Sequence, residues 1–192
     1  DVTAGKIMLK GCDIRDMTQQ KLRGHISYVP QKAWLFSGTI ADNLRYGNEN
    51  ATQEEMLHAL KVAQSGFVLA LPDGICSHVA QGGTNFSGGQ KQRLLITRAL
   101  VKHPQILVLD DSSSALDYAT DARLRRAIQE NYGDLTSIIV AQRISSIYRA
   151  DKIIVLEDGE MIGYGTHKNL MESCEVYREI SQSQMGGGID EA

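Results

Sequence analysis

This sequence has few of the residues that build disulfide or metal frameworks. Its three cysteines, Cys12, Cys76 and Cys174, are far apart, odd in number and without C-x-x-C spacing, so reduced thiols in a cytosolic setting are the simplest reading. The five histidines are scattered, with no H-E-x-x-H or similar metal spacing. No apolar run approaches about 18 residues, which excludes a membrane-spanning helix from these residues. No signal-peptide pattern opens the sequence. Neither absence excludes attachment to a membrane protein. There is no excess of positive charge: the formal net charge is −3, which argues against a nucleic-acid partner. Internal repeats and low-complexity tracts are also missing. What is present is an ordinary globular composition, 42% hydrophobic and 22% charged over 192 residues, enough for one domain with its own core.

The apolar texture alternates between strand and helix. "KIML" (6–9) followed by Gly11 reads as a short strand and turn, and "HISYV" (25–29) as a strand stopped by Pro30. "TIADNLRYG" fits one or two helical turns ending at Gly47. From Thr52 a helix is expected, with Glu55 completing a capping box and Met56, Leu57, Leu60 and Val62 on its apolar side. Residues 76–86 form a glycine-bearing loop, and a long helix follows from Ser87 to about His103 before Pro104. "QILVL", "LTSIIVA" and "KIIVL" read as buried strands, with a helix over 118–131, a short one over 143–149, "GEMIGYG" as a hairpin partner, and two helices within 166–182. Strands alternating with helices predict an α/β fold with a parallel sheet covered on both faces. Residues 50–103 lack such strands and are expected to form a separate lobe.

Two stretches carry chemistry. In "ILVLDDSSSALD" (106–117) the strand ends in Asp110 and Asp111. Ligands of such sheets bind at the carboxyl ends of strands, where a carboxylate can hold Mg²⁺ beside a nucleotide phosphate. Ser87-Gly88-Gly89-Gln90 opens the long helix. Ser87 and Gln90 make a capping box, but capping does not require two glycines, each costing about 1 kcal/mol relative to alanine inside a helix. Bare N–H groups at a helix N-terminus form an anion site that glycine lets a phosphate approach.

In order and spacing these motifs resemble those of ATP-binding cassette (ABC) proteins over nearly the whole chain. "NFSGGQKQRLLITRALVKHPQILVLDDSSSALD" resembles the signature helix, Walker B strand and D-loop, and "SYVPQKAWLFSGTIADNL" the Q-loop of ABC exporters, with Gln31 its glutamine. "SHVAQGG" is similar to the exporter loop before the signature, "IIVAQRISSI" to the switch, and "ADKIIVLEDGEMIGYGTH" to the closing strands. The resemblance implies a P-loop NTPase (RecA-like) core with a parallel sheet, an ABC-type helical subdomain and antiparallel β elements. The expected divisions are a β and Q-loop region (1–49), a helical subdomain with the signature (50–103), a RecA-like core (104–183) and a flexible tail (184–192). The implied cofactors are ATP and Mg²⁺. The implied partners are a second nucleotide-binding domain, stacked head to tail with two ATP molecules between, and a transmembrane domain, which places the chain on the cytoplasmic face of a membrane. Asp110 would organise Mg²⁺, and Gln31 would sense it and the phosphate. Ser87, Gly88, Gly89 and Gln90 would clasp the partner's ATP, and Asp117 would close the D-loop across the interface. Chromosome-maintenance ATPases with this cassette need a long coiled-coil insertion for which 50–103 leaves no room.

The sequence departs from the family pattern in three ways. Asp111 stands where hydrolysing members carry glutamate, so the carboxylate that polarises water falls back by about 1.5 Å, one carbon–carbon bond, and an error of about 1 Å can cost 10²-fold. Gln142 stands in place of the switch histidine; it can hydrogen-bond a phosphate but carries no charge. Gln81 replaces a glutamate that concerns coupling. Thirdly, G-x-x-x-x-G-K-[ST] occurs nowhere, so the P-loop and the adenine-stacking aromatic are expected upstream of Asp1. An intact signature beside an altered Walker B and switch predicts the degenerate half of a heterodimeric exporter. The alternatives are a slow homodimeric exporter and a non-catalytic ATP-binding regulator.

Overall fold

A computed structural model describes residues 2–185. Its elements are β1 (Met8–Leu9), β2 (Cys12–Asp13), α1 (Gln19–His25), β3 (Ile26–Val29), β4 (Gly38–Thr39), α2 (Ile40–Arg45), α3 (Gln53–Val62), β5 (His78–Val79), α4 (Gly88–Val101), β6 (Ile106–Asp110), α5 (Tyr118–Asn131), β7 (Thr136–Val140), β8 (Ile153–Glu157), β9 (Glu160–Gly165), α6 (His167–Ser173) and α7 (Glu175–Met185). The helices begin where short polar side chains can satisfy free N–H groups. Capping boxes pair Thr39 with Asp42, Thr52 with Glu55, Ser87 with Gln90 and Thr166 with Asn169. Of the tail expected over 184–192, residues 184 and 185 belong to α7, and residues 186–192 lie outside the described residues.

The chain divides after Val140 into two compact units. In the first, β3, β6 and β7 form a parallel sheet in that order, with Tyr28 opposite Val108 and Val108 opposite Ile138. Register sets the two faces. Ser27, Val29, Leu107 and Leu109 are buried, and Ser27 Oγ donates to the Ala99 carbonyl of α4 at 2.9 Å. The other face carries Tyr28, Ile138 and Val140, which are 57%, 50% and 54% exposed. The expectation of a sheet covered on both faces is therefore corrected. β7 is an edge strand, exposed at four of its five residues with Ile139 half-buried.

The segment expected as a separate lobe packs onto the sheet through a common core. Met56, Leu60 and Val62 of α3 and Leu94, Ile96 and Leu100 of α4 share one buried cluster with Val29, Leu107 and Leu109 of the sheet. The lobe is not free of strands either, since β5 pairs antiparallel with β4. β1 and β2 pair in a small hairpin, shorter than the strand read over 6–9.

In the second unit β8 and β9 pair antiparallel, with a bulge between Val155 and Leu156. Ile144, Ile153, Val155, Leu170, Cys174 and Tyr177 make its core. Tyr177 is buried, and its hydroxyl meets His167 Nδ1 at 2.8 Å. β8 does not behave as a fully buried strand: Ile154 and Leu156 are exposed, and β9 is its pairing partner among the described residues. The helix expected over 143–149 is a single 3₁₀ turn, Ile144–Ser146.

Candidate nucleotide site

Parallel pairing of β3 with β6 brings the acidic pair to the segment that follows β3. The hydroxyl of Tyr28 donates to Asp110 Oδ2 at 2.7 Å, and Gln31 Nε2 donates to Asp111 Oδ2 at 3.0 Å. Accepting that proton stabilises the neutral phenol, so the Tyr28 hydroxyl titrates above its ordinary range. Asp111 is 9% exposed, and its N–H donates to the Val140 carbonyl at 2.9 Å, extending the sheet ladder one residue beyond β6. There the backbone turns left-handed, with φ 43° at Asp111. Aspartate tolerates that region better than residues with longer side chains, because its short carboxylate can bond locally. The second carboxylate thus sits on a strained turn, tied to the glutamine picked out by sequence.

The start of α4 forms a second group. Ser87 Oγ accepts from Gln90 N at 3.3 Å, and Gln90 Oε1 accepts from Ser87 N at 2.9 Å. The two glycines differ. A Cβ on Gly89 would lie 2.9 Å from the Ala115 carbonyl oxygen, so this glycine serves the close approach of the 112–117 segment. A Cβ on Gly88 would meet nothing within 4 Å, so packing does not explain it. Asp117 caps α5 by accepting from Thr120 N at 2.8 Å, and that bond holds its carboxyl below the usual carboxylate range. Arg93 braces the helix start: Nη1 donates to the Gln64 carbonyl at 2.6 Å and the guanidinium lies 4.9 Å from the centroid of Phe67.

Of the residues singled out by sequence, Gln31, Asp110 and Asp111 are brought together, and the Ser87–Gln90 turn is packed onto the segment leading to Asp117. Gln142 lies in the second unit, exposed, and its carbonyl accepts from Gln184 Nε2 at 2.7 Å. Gln81 is exposed and opens a 3₁₀ turn whose Gly82 and Gly83 are buried. Sequence reasoning missed Tyr28. Its signal was a phenol at an alternate position of an apolar strand, legible only once β3 is known to pair with β6.

The family model described as ABC transporter matches residues 1–114. The chain belongs to the ABC transporter family. It is 48% identical over 188 residues to an uncharacterized ABC transporter ATP-binding protein of Mycobacterium tuberculosis, covering 96% of this chain and 32% of that protein. An ATP-dependent lipid A-core flippase of Chromobacterium violaceum is 37% identical over 183 residues, covering 95% and 31%. The solved structure of a bacterial Atm1-family ABC exporter with ATP bound superposes with a TM-score of 0.91 at 37% identity, covering 96% of this chain and 33% of that one. The chain thus spans about a third of the length of these relatives. It is an ABC transporter ATP-binding domain, similar to that of an exporter. Its parallel sheet, antiparallel hairpins and helical segment are the mixed α/β arrangement of that domain.

The donor set fits Mg²⁺. Among the described residues no group of three or more His, Cys, Asp or Glu could cage a metal, but Mg²⁺ beside nucleotide phosphates takes only one or two protein oxygens and keeps water for the rest. Asp110 has one oxygen held by Tyr28, and among the described residues its other oxygen accepts no hydrogen bond.

Proposed function

We propose that this domain is the motor domain of an ABC exporter, that it works at a head-to-tail pair of nucleotide-binding domains on the cytoplasmic face of a membrane, and that its own ATP site hydrolyses poorly. When bound, Mg²⁺ would neutralise charge on the nucleotide phosphates. The free oxygen of Asp110 and the amide of Gln31 are the groups suited to hold it. Gly88 and Gly89 offer first-turn N–H groups that no intrahelical carbonyl accepts, and the Ser87 hydroxyl can donate beside them. Together these would clasp the phosphates of the partner domain's ATP, with Asp117 closing the D-loop.

One observation carries the reading of a degenerate site. The carboxylate in the position of the general base is Asp111, short by one methylene and hydrogen-bonded to Gln31 on a left-handed turn. A base must come within about 2.6–3.2 Å of the proton it takes. Gln142, in the switch position, can donate a hydrogen bond but cannot carry positive charge. A pairing of unlike domains follows from this asymmetry, because the intact Ser87–Gln90 turn would complete a competent site on its partner.

The test is Asp111→Glu combined with Gln142→His in the assembled transporter, with the partner's catalytic glutamate neutralised. Single-turnover hydrolysis at this domain's site should rise by about 10- to 100-fold. Glutamate at positive φ should also cost about 1 kcal/mol of folding stability. No gain would sink the degenerate-site reading. A partner assembly that binds ATP and never turns over would instead indicate a regulatory module.

The 192-residue chain alone is expected to bind Mg-ATP negligibly, because most phosphate contacts in such sites come from a P-loop backbone and lysine, and that motif is missing from its sequence. Titration calorimetry giving a low-micromolar dissociation constant would contradict this.

A further inference from the structure

A hydrogen bond joins Tyr28 of β3 to Asp110 at the end of β6. Tyr28 stands on an edge strand, directly opposite Val108 in the parallel register. Asp110 lies two residues further along β6, on the same face. An aromatic side chain can reach such a diagonal neighbour, and here the phenol tip meets Oδ2 at 2.7 Å. The ring is 57% exposed, so core packing does not require a tyrosine at this position. Among the described residues the hydroxyl has no hydrogen-bond partner other than this carboxylate.

We infer that Tyr28 is a positioning residue for the divalent cation: by holding Oδ2 it fixes the Asp110 carboxylate so that its other oxygen points to the metal. The inference rests on the Mg-ATP reading of the site. A carboxylate at a strand end can rotate about its side-chain torsions, and binding a metal through one oxygen requires that freedom to be given up. A neutral donor on the other oxygen removes it beforehand without adding a competing positive charge. Partners of this kind behind metal ligands are worth about 10- to 100-fold in metal affinity. A phenol obstructing the carboxylate would have the opposite effect, since its removal would tighten binding.

The experiment uses the assembled transporter with a non-hydrolysable ATP analogue and Mn²⁺, counting free Mn²⁺ by electron paramagnetic resonance. The class of Mn²⁺ sites lost in Asp110→Asn defines this domain's own site. Tyr28→Phe, which keeps the ring, should weaken that class about tenfold. Affinity for the analogue in EDTA and the melting temperature should stay unchanged. Unchanged or tighter Mn²⁺ binding in Tyr28→Phe overturns the inference. If the unsubstituted protein shows nucleotide-dependent Mn²⁺ binding that Asp110→Asn does not diminish, the assignment of Asp110 fails and takes this inference with it, while nucleotide binding by the domain stands.

Discussion

Ser87→Arg is expected to stop ATP hydrolysis at the partner domain's site while leaving the nucleotide of this domain in place. Ser87 does two things at the start of α4. Its oxygen caps the helix by accepting from Gln90 N, and in the proposed site its hydroxyl would sit beside the first-turn N–H groups offered to a phosphate. Arginine cannot accept a hydrogen bond, so the cap is lost at a cost of about 1 kcal/mol. That is too little to unfold a domain with about 5–15 kcal/mol of stability. The larger effect is steric: a long side chain fills the approach that Gly88 leaves open, where a Cβ would meet nothing within 4 Å. Loss of one such donor site in a transition state costs about 10²–10³-fold, and a fall in total ATPase of that size is the expected reading. Ser87→Ala loses the cap and the donating hydroxyl but keeps the space, so its ATPase should fall by less than that of Ser87→Arg. Full ATPase in Ser87→Arg would show that this turn does not serve a partner's nucleotide.

Gly47→Ala should unfold or severely destabilise the first unit. Gly47 follows α2, and its N–H donates to the Leu44 carbonyl at 2.9 Å. A Cβ here would fall 2.1 Å from the Arg98 carbonyl oxygen of α4 and 3.2 Å from the Leu44 oxygen. Both obstacles are backbone, so no side chain can swing aside. Relief requires α2 to move away from α4, and both helices contribute to the same core through Ile40, Leu44, Leu94 and Ile96. Overpacking usually costs about 1–3 kcal/mol, and a clash against backbone should exceed that range. Chemical denaturation would show it as a fall in midpoint with little change in slope. Gly24→Ala in α1 is the matched control: its Cβ meets nothing within 4 Å, so the helix should be unaffected or gain up to about 1 kcal/mol. A Gly47→Ala protein melting with the unsubstituted one would mean that α2 and α4 are not in contact at this point.

Within the candidate site, legibility depended on how far apart the partners are in the chain. The Ser87 and Gln90 cap was readable because its two members sit one helical turn apart, and the structure shows both of its hydrogen bonds. The two glycines between them were read as one feature, yet they differ: Gly89 is explained by Ala115, more than twenty residues away, and Gly88 by nothing in the fold. The Asp110–Asp111 pair was visible as a motif. Its hydrogen-bond partners were not, since they come from β3 and the segment after it, about eighty residues earlier.

By itself the sequence determined where most strands and helices lie, where helices start, and to which family the chain belongs. Apolar period, capping pairs and motif spacing act over a few residues and survive any later rearrangement. Only the tertiary structure decided the strand order β3-β6-β7, the open face bearing Tyr28, Ile138 and Val140, and the division after Val140. It also decided that the helical segment shares the sheet's core and that Asp111 turns left-handed onto Gln31. An apolar run shows that a strand wants cover; how many of its faces receive cover depends on which distant segments reach it. Pairing register and close backbone approach are properties of two segments at once, and no local pattern in either one encodes the other.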